Sequence, residues 1–537
     1  MRTVVLSIFL LTLVTCKSRN RTSDPSAVMA DLAPLPAPTE LFDKSSTLFS
    51  DKIHELHIYL RGATFSRVVT HKDQGGEACK SNARYGRVEK LVFKNNVNGE
   101  TTEIRDTGIR VKGNTSCANF KKQFKFKFNA DAVEIENQAG ESVFRVSQVF
   151  EGDGDDVAYT EEDSKRINKQ DFYGLKSIAL RVSLNDPTLI REKLSSEVFA
   201  FGDEWKRKNQ KPGATLAGGA VYRAGFVHLF VHKGGDAEDF GLYDLVELVD
   251  KTMFKSRYGK SIKHAFQTNL ARGDFRNADL AEADLLTAYE PELQDGDSIP
   301  SQDEVDVLKS LRQQGKIEAQ LLAAAEQRRT ESAREIRKFI TTLNGVRSAE
   351  GLGQLLDIDN VLNYMVAANL AGHWDSAIGN ANNDYLIFNK EVGKWQLFVW
   401  DLDNSFGSVA TGSSPFNGAW NAGPMEFMRG STNLLSTQER PLFSKVMQYF
   451  GREYRERYAA FLDGVYSFDS LNQRMVQLRD VITSGHNESP EWQALFKFKN
   501  HRHAHATCGL QSNKRAVVSN DGWPVYISTE RGTPKCQ

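Results

Sequence analysis

From Lys52 the chain alternates between apolar and polar positions, with Ile53, Leu56, Ile58 and Leu60 leading, and the pattern continues through residues 88–93 and 108–112 into 120–128. A period of two predicts strands. In KKQFKFKF (121–128), Phe124, Phe126 and Phe128 share one strand face with Lys122, and Lys121, Lys125 and Lys127 take the other. Lys122 is thereby a cation on an apolar side. It either snorkels from the strand end or stands in a cleft where it meets phosphate. Residues 150–171 are acidic and polar and read as a surface excursion. Asp186-Pro187-Thr188 supplies a helix start, and 189–199 carry apolar residues at helical spacing. Two strands, 227–231 and 242–249, flank the Gly-rich tip KGGDAEDFG and predict a hairpin. Residues 302–370 read as helical and end in VLNYMVAANLAG.

The segment that follows, HWDSAIGNANNDYLIFNKEVGKWQLFVWDLDNSFG (373–407), carries the chemistry. It reads as a loop, a strand at 385–388, a turn, a strand at 395–399, and then Asp401-Leu402-Asp403. Asp375 and Asn380 stand in D-x4-N spacing, directly ahead of a hairpin that ends in DxD. Phosphoryl transfer uses that order of parts: one Asp takes the hydroxyl proton, an Asn and a second Asp hold Mg²⁺, and the metal neutralises charge on the phosphoryl oxygens. In extended chain Asp401 and Asp403, at i and i+2, point to one face, where mutual repulsion favours a cation. The plainer alternative is that both cap the following turn and His373 is a satisfied loop histidine. His501, His503 and His505 form H-x-H-x-H, which would bind Zn²⁺ or Cu²⁺ on a strand. The surrounding WQALFKFKNHRH predicts a helix instead, which separates them.

Composition narrows the class. The chain has 537 residues, 40% hydrophobic and 26% charged, and Lys+Arg 68 against Asp+Glu 69 gives a net charge of -1. No bulk field recruits nucleic acid. The apolar run from Val4 to Val14 behind Arg2 has the length of a signal-peptide core. Leu13-Val14-Thr15-Cys16 resembles a bacterial lipobox, with Thr15 an unusual residue before the Cys. Export follows as an expectation, either as an envelope lipoprotein anchored through lipid on Cys16 or as a secreted protein. Residues 17–50 are rich in Pro, Ser and Thr and read as a tether. Cys79, Cys117, Cys508 and Cys536 then remain, and pairing of Cys79 with Cys117 and of Cys508 with Cys536 closes two local loops.

NNDYLIFNKEVGKWQLFVWDLDNSFG resembles the signature of the spore-coat protein H (CotH) kinase family, exported proteins related to atypical protein kinases. GIRVKGNTSCANFKKQFKFKF (108–128), LRVSLNDPTLIREKLSSEVF (180–199) and VHLFVHKGGDAEDFGLYDLVELVD (227–250) resemble further family blocks in the same order, so the similarity covers roughly 50–505. It implies an α+β, two-lobed atypical protein-kinase-like fold: leader 1–16, tether 17–50, a strand-rich N-lobe over 51–250, a mostly helical C-lobe over 251–510, and a tail over 511–537 tied by a disulfide. It implies ATP as donor, Mg²⁺ or Mn²⁺ as cofactor, and a protein substrate with Ser or Thr hydroxyls. Asp375 would be the base and Asp401 the metal ligand, with Asp403 close by. Asn380 meets the kinase spacing and Asn383 the family's Asn-Tyr pattern, so either could hold metal. Lys122 or Lys121 would meet the phosphates, oriented by Glu197 ahead of Glu192. Glu247 falls where the hairpin leaves the small lobe, and either contacts nucleotide or pairs with an Arg. The chain departs from the family in its GGDAED hairpin tip and in a longer, more charged stretch over 300–350. No GxGxxG precedes Lys122, which leaves GNTSCAN (113–119) to cover phosphates. A non-catalytic surface binding or assembly protein on the same scaffold is the second reading; a divalent-metal hydrolase, the third, leaves Lys122 unexplained.

Overall fold

The computed structural model describes residues 45–512 and 534–536, apart from 81–82, 84, 114–115, 130–131, 137–141, 147–159, 183–185, 187, 210–220, 270–272, 295–296, 314–318, 380, 408–439 and 484–489. The leader at 1–16, most of the tether, Asn380, and the tail apart from 511–512 and 534–536 lie outside the described residues.

Alternation becomes a barrel. The strands are β1 (Ile53–Tyr59), β2 (Gly86–Lys94), β3 (Thr101–Lys112), β4 (Gln123–Lys127), β5 (Ala132–Glu136), β6 (Ser142–Val146), β7 (Ser177–Arg181), β8 (Ala224–His232) and β9 (Ala237–Glu247). All but β5 and β6, which pair only with each other, close in the order β1-β2-β3-β4-β7-β9-β8. β1 runs antiparallel to β2 and parallel to β8, so neither edge is left for another chain. Phe124, Phe126 and Phe128 point inward with Phe93 and Phe172, all at most 1% exposed. Phe172 meets Phe93 edge-on at 4.9 Å and stacks on Phe128 at 5.0 Å. The β8–β9 hairpin agrees with the pattern, but β9 starts at Ala237, so part of the Gly-rich tip is strand. Cys79 is bonded to Cys117, and Cys508 to Cys536, as the local-loop pairing expects.

A second sheet runs in the order β12-β11-β10-β13-β14. Its strands are β10 (Ile262–Thr268), β11 (Tyr289–Gln294), β12 (Asp297–Ser298), β13 (Asp384–Asn389) and β14 (Lys394–Val399). Only the last two were legible in the pattern. The helices are α1 (Gly62–Val69), α2 (Glu161–Lys169), α3 (Arg191–Asn209), α4 (Lys251–Tyr258), α5 (Glu282–Ala288), α6 (Gln302–Gln313), α7 (Ala319–Gly345), α8 (Ala349–Leu355), α9 (Ile358–Ala371), α10 (Pro441–Asp463), α11 (Phe468–Thr483) and α12 (Pro490–Ser512). The chain is thus of mixed α+β composition. Asn360 to Ala371 of α9 are buried without a break, which makes it the central helix of the larger core, packed on α3, α10 and β14. The H-x-H-x-H residues lie on α12: the rings of His501 and His505, four apart, stack at 6.0 Å, and His503 turns away onto Phe468. They do not form a three-histidine site.

Asp186 starts α3: its carboxylate accepts from the backbone N–H of Thr188 and of Arg191 and pairs with the Arg191 guanidinium. Arg191 Nε in turn donates to the carbonyl of Phe406 at 3.3 Å, tying the helix start to the segment after β14.

Candidate active site

The loop that carries Asp375 is set by the end of α9. Gly372 takes the left-handed conformation at φ 63°, and its N–H and that of His373 return to the carbonyls of Asn369 and Ala368. A Cβ at Gly372 would also lie 2.4 Å from Phe498 Cζ, so glycine is required there twice over. His373 is fully buried, and burial pushes its imidazole down to about 4. Asp375 remains half-buried. Asn383 Nδ2 donates to its Oδ2 at 2.8 Å, and Asn382 Nδ2 reaches both of its oxygens at 3.3 Å. Asn383, at φ 59°, turns its carbonyl to accept the N–H of Trp400 at 2.9 Å. Asp384 pairs in register with Val399. The Asp375 loop and the DxD turn therefore meet at one end of the β13–β14 hairpin.

The DxD turn is not extended, contrary to the i, i+2 reading. Asp401 is left-handed at φ 59° and Leu402–Asn404 form a 3₁₀ turn. What brings the two carboxylates together is a cation. Arg181, the last residue of β7, pairs with Asp401 and lies 3.3 Å from Asp403, while its Nη1 donates to Glu192 Oε1 on α3 at 3.1 Å. Tyr222 completes the frame by donating to Glu192 and accepting the N–H of Leu402 at 2.9 Å. Oxygens of Glu192, Asp401 and Asp403 lie within 4.8 Å of one another. Burial would raise Asp401, but Arg181 holds it below the usual carboxylate range. Burial and the neighbouring Asp401 push Asp403 well up, and burial raises Glu192.

This donor set suits a hard divalent cation. Carboxylate oxygens are the ligands such ions take, and Glu192 Oε2 and Asp403 Oδ1 are buried acceptors with no hydrogen bond among the described residues. Asp401, with a side chain 28% exposed, forms the mouth. A second cation is Lys112 at the end of β3. Its Nζ lies 4.1 Å from the centre of the Trp400 ring, and burial, then Arg181, drives its pKa well down while Asp401 and Glu192 oppose the fall.

Strand register explains why Lys112 is here and Lys122 is not. Lys112 pairs with Gln123, Lys125 with Ala179, and Arg181 with Asp244, and residues directly opposite in antiparallel strands share a face. That face is the outside of the barrel, where Ala179 packs into the helical core. Phe124, Phe126 and Phe128 occupy the sealed inside. Lys122 precedes β4, and its Nζ donates to the Cys117 carbonyl at 2.8 Å. Lys121 Nζ donates to the Leu242 carbonyl at 2.9 Å and lies over the Tyr243 ring.

The structure does not bring Glu197 to the acidic pocket either. It pairs with Arg474 at 2.6 Å and faces Lys193, whereas Glu192, one and a half turns earlier, faces Arg181. Glu247 is fully buried with its carboxylate between Arg223 and Arg257. That is the arginine-paired arrangement, and it leaves a nucleotide only backbone groups to meet there. Arg181, Lys112 and Tyr222 were missed from sequence. Lys112 and Arg181 both stood inside blocks already singled out, and an outward parity with Lys125 was the available signal.

No curated protein matches the chain. A family model described as CotH kinase protein matches residues 109–507, a span that includes Lys112, Arg181, Glu192, Asp375 and the whole DxD turn. With nearly three quarters of its length in that match, the chain belongs to the CotH kinase protein family.

Proposed function

We propose that the protein is an exported kinase that transfers the γ-phosphoryl group of ATP to Ser or Thr hydroxyls of an envelope or secreted protein, with the barrel and the helical part as the two lobes of an atypical protein-kinase-like fold. The observation that carries this reading is that the loop of Asp375 is tied, through Asn383 and the N–H of Trp400, to the turn bearing the acidic pocket of Glu192, Asp401 and Asp403 with Arg181 and Lys112 beside it. Asp375, its carboxylate oriented by the amides of Asn382 and Asn383, accepts the hydroxyl proton. Asp401 and Asp403 hold Mg²⁺ or Mn²⁺, with Asn383 or Asn380 as the further candidate ligand. The metal, when bound, supplies neutralising charge for the phosphoryl oxygens. Lys112, rather than Lys121 or Lys122, meets the phosphates. The backbone beside Glu247 marks the place for adenine.

The direct test is transfer of label from γ-labelled ATP to the protein itself or to a Ser-rich acceptor. Nucleotide binding has its own readout, since a ligand that binds only the native state raises its melting temperature. Millimolar MgATP is expected to raise the melting temperature of wild type and Lys122→Met, and much less that of Lys112→Met. Equal shifts in the two variants would remove Lys112 from the site. Absence of both shift and transfer in wild type would favour a non-catalytic binding or assembly protein.

The two disulfides are compatible with an extracellular protein, and among the described residues no helix is long and apolar enough to cross a membrane. We place the protein at the cell envelope, held by lipid on Cys16 with residues 17–44 as tether; the end of the expected 17–50 tether is instead folded, with Leu48 and Phe49 buried against the barrel. Multiple acyl chains anchor stably where one is marginal. Cys16→Ser is therefore expected to move the protein from the membrane fraction to a soluble or unprocessed form without loss of activity. A soluble wild type whose mature terminus is not Cys16 would replace the anchor with simple secretion.

A further inference from the structure

Arg181 stands where a metal ion would have to go. A divalent ion takes carboxylate oxygens at about 2.0–2.6 Å and cannot share them with a guanidinium in the same place. Arg181 engages all three carboxylates of the pocket: Glu192 at 3.1 Å, Asp403 at 3.3 Å, and Asp401 as a direct pair. Its side chain is 6% exposed and its guanidinium carbon lies 5.8 Å from the Trp400 ring centre. Lys112 Nζ lies over the same side chain, 4.1 Å from the ring centre. Asp244, opposite Arg181 in register, adds a fourth acidic side chain. Without an internal cation this many buried carboxylates would repel one another in the metal-free protein.

We propose that Arg181 is a resident counter-cation that fills the acidic pocket until a divalent metal displaces it. The inference rests on the reading of Asp401 and Asp403 as metal ligands. Glu192 is the deeper partner, 1% exposed, and Asp401 the shallower at 28%. Displacement therefore releases the two aspartates at the mouth while the bond to Glu192 anchors the guanidinium within the pocket. Two consequences follow. Free metal binds weakly, because it must evict a cation already held by three charge-assisted contacts. Metal accompanied by nucleotide binds better, because the phosphates supply a new anionic partner for Arg181 and Lys112.

The experiment measures binding of free Mn²⁺ to the full chain without nucleotide, from the electron paramagnetic resonance signal of the unbound ion, alongside the melting temperature with and without Mn²⁺. Arg181→Met is expected to bind Mn²⁺ at least about tenfold tighter than wild type, a modest share of what removing one unit charge a few ångströms away supplies. Its melting temperature should fall without metal and recover with it. Because Arg181→Met alone can fail to fold, Arg181→Met/Glu192→Gln removes one charge of each sign and is measured in parallel, with a smaller gain expected because a carboxylate of the pocket is lost with the guanidinium. Adding Asp401→Ala to either variant should abolish the gain, which places the ion in this pocket. Equal or weaker Mn²⁺ affinity in both Arg181 variants, with MnATP still bound by wild type, overturns the counter-cation and leaves the metal site standing. No Mn²⁺ binding by any variant, and none by wild type with ATP, overturns both.

Discussion

Asp375→Ala and Asp401→Ala will each lower phosphotransfer by roughly two to four orders of magnitude, the range that a positioned base or a fixed charge at the reacting centre contributes. The two losses have different origins. Asp375 sits on a loop whose amides from Asn382 and Asn383 aim its carboxylate, so on the proposed reading its removal takes away the proton acceptor and leaves metal and nucleotide binding intact. Asp401 stands at the mouth of the acidic pocket, so on the proposed reading its removal takes away a metal ligand and should abolish dependence on Mn²⁺ concentration. Neither change should unfold the protein. Without Asp401, Arg181 keeps Glu192 and Asp403 as partners, so the guanidinium is not left buried without a counter-charge. Rates measured with γ-labelled ATP, together with melting curves of both variants, check this. Near-wild-type turnover in either folded variant would strip that residue of its role.

Glu247→Gln will destabilise the fold by about 3 kcal/mol at neutral pH and progressively less in acid. Glu247 is fully buried at the end of β9, between the guanidinium groups of Arg223 and Arg257. Burial alone would raise its pKa from 4.5, but the two arginines bring it down to about 2. A folded-state value depressed below the unfolded one contributes stability that is complete above the unfolded value and is lost as pH falls toward the folded one. The wild type therefore leads the variant by the full amount above about pH 5, and the gap closes between there and about pH 2. Denaturation midpoints of the pair across that range check the sign. A gap that stays constant with pH would mean that the ion pairs contribute nothing and only shape was lost.

Several strands of the barrel were readable because they obey a period of two, and Phe124, Phe126 and Phe128 could only share a face; that the strands close into a barrel with this face as its sealed core was not. The hairpin of 384–399 was readable for a related reason, since its apolar strands are bounded by Asn and Gly turns. The β10–β12 part of the second sheet was not, because β11 contains Pro291 and pairs with β10 across a bulge, and β12 has only two residues. Asp375 and Asp401 stand out as candidates from spacing along the chain. Lys112 and Arg181 are 69 positions apart in sequence and meet only through the ladders joining β3, β4 and β7.

Composition, alternation and spacing by themselves determined the strand faces, the two local disulfide loops and the helix over 501–505, and singled out Asp375 and Asp401 as candidates, because each depends on residues near one another along the chain. Only the tertiary structure decided which face of the barrel meets the helices, and with it which lysine and which glutamate stand beside Asp401. Parity states that Lys122 and Lys125 lie on opposite faces, but it cannot state which face is enclosed. Closure of β1 onto β8 seals the phenylalanine side, and burial of α9 against α3 then presses the other side, with Lys112 and Arg181, onto the DxD turn. The physical reason is that a face is fixed by local geometry, whereas its partner is fixed by how much apolar surface distant segments can remove from water together.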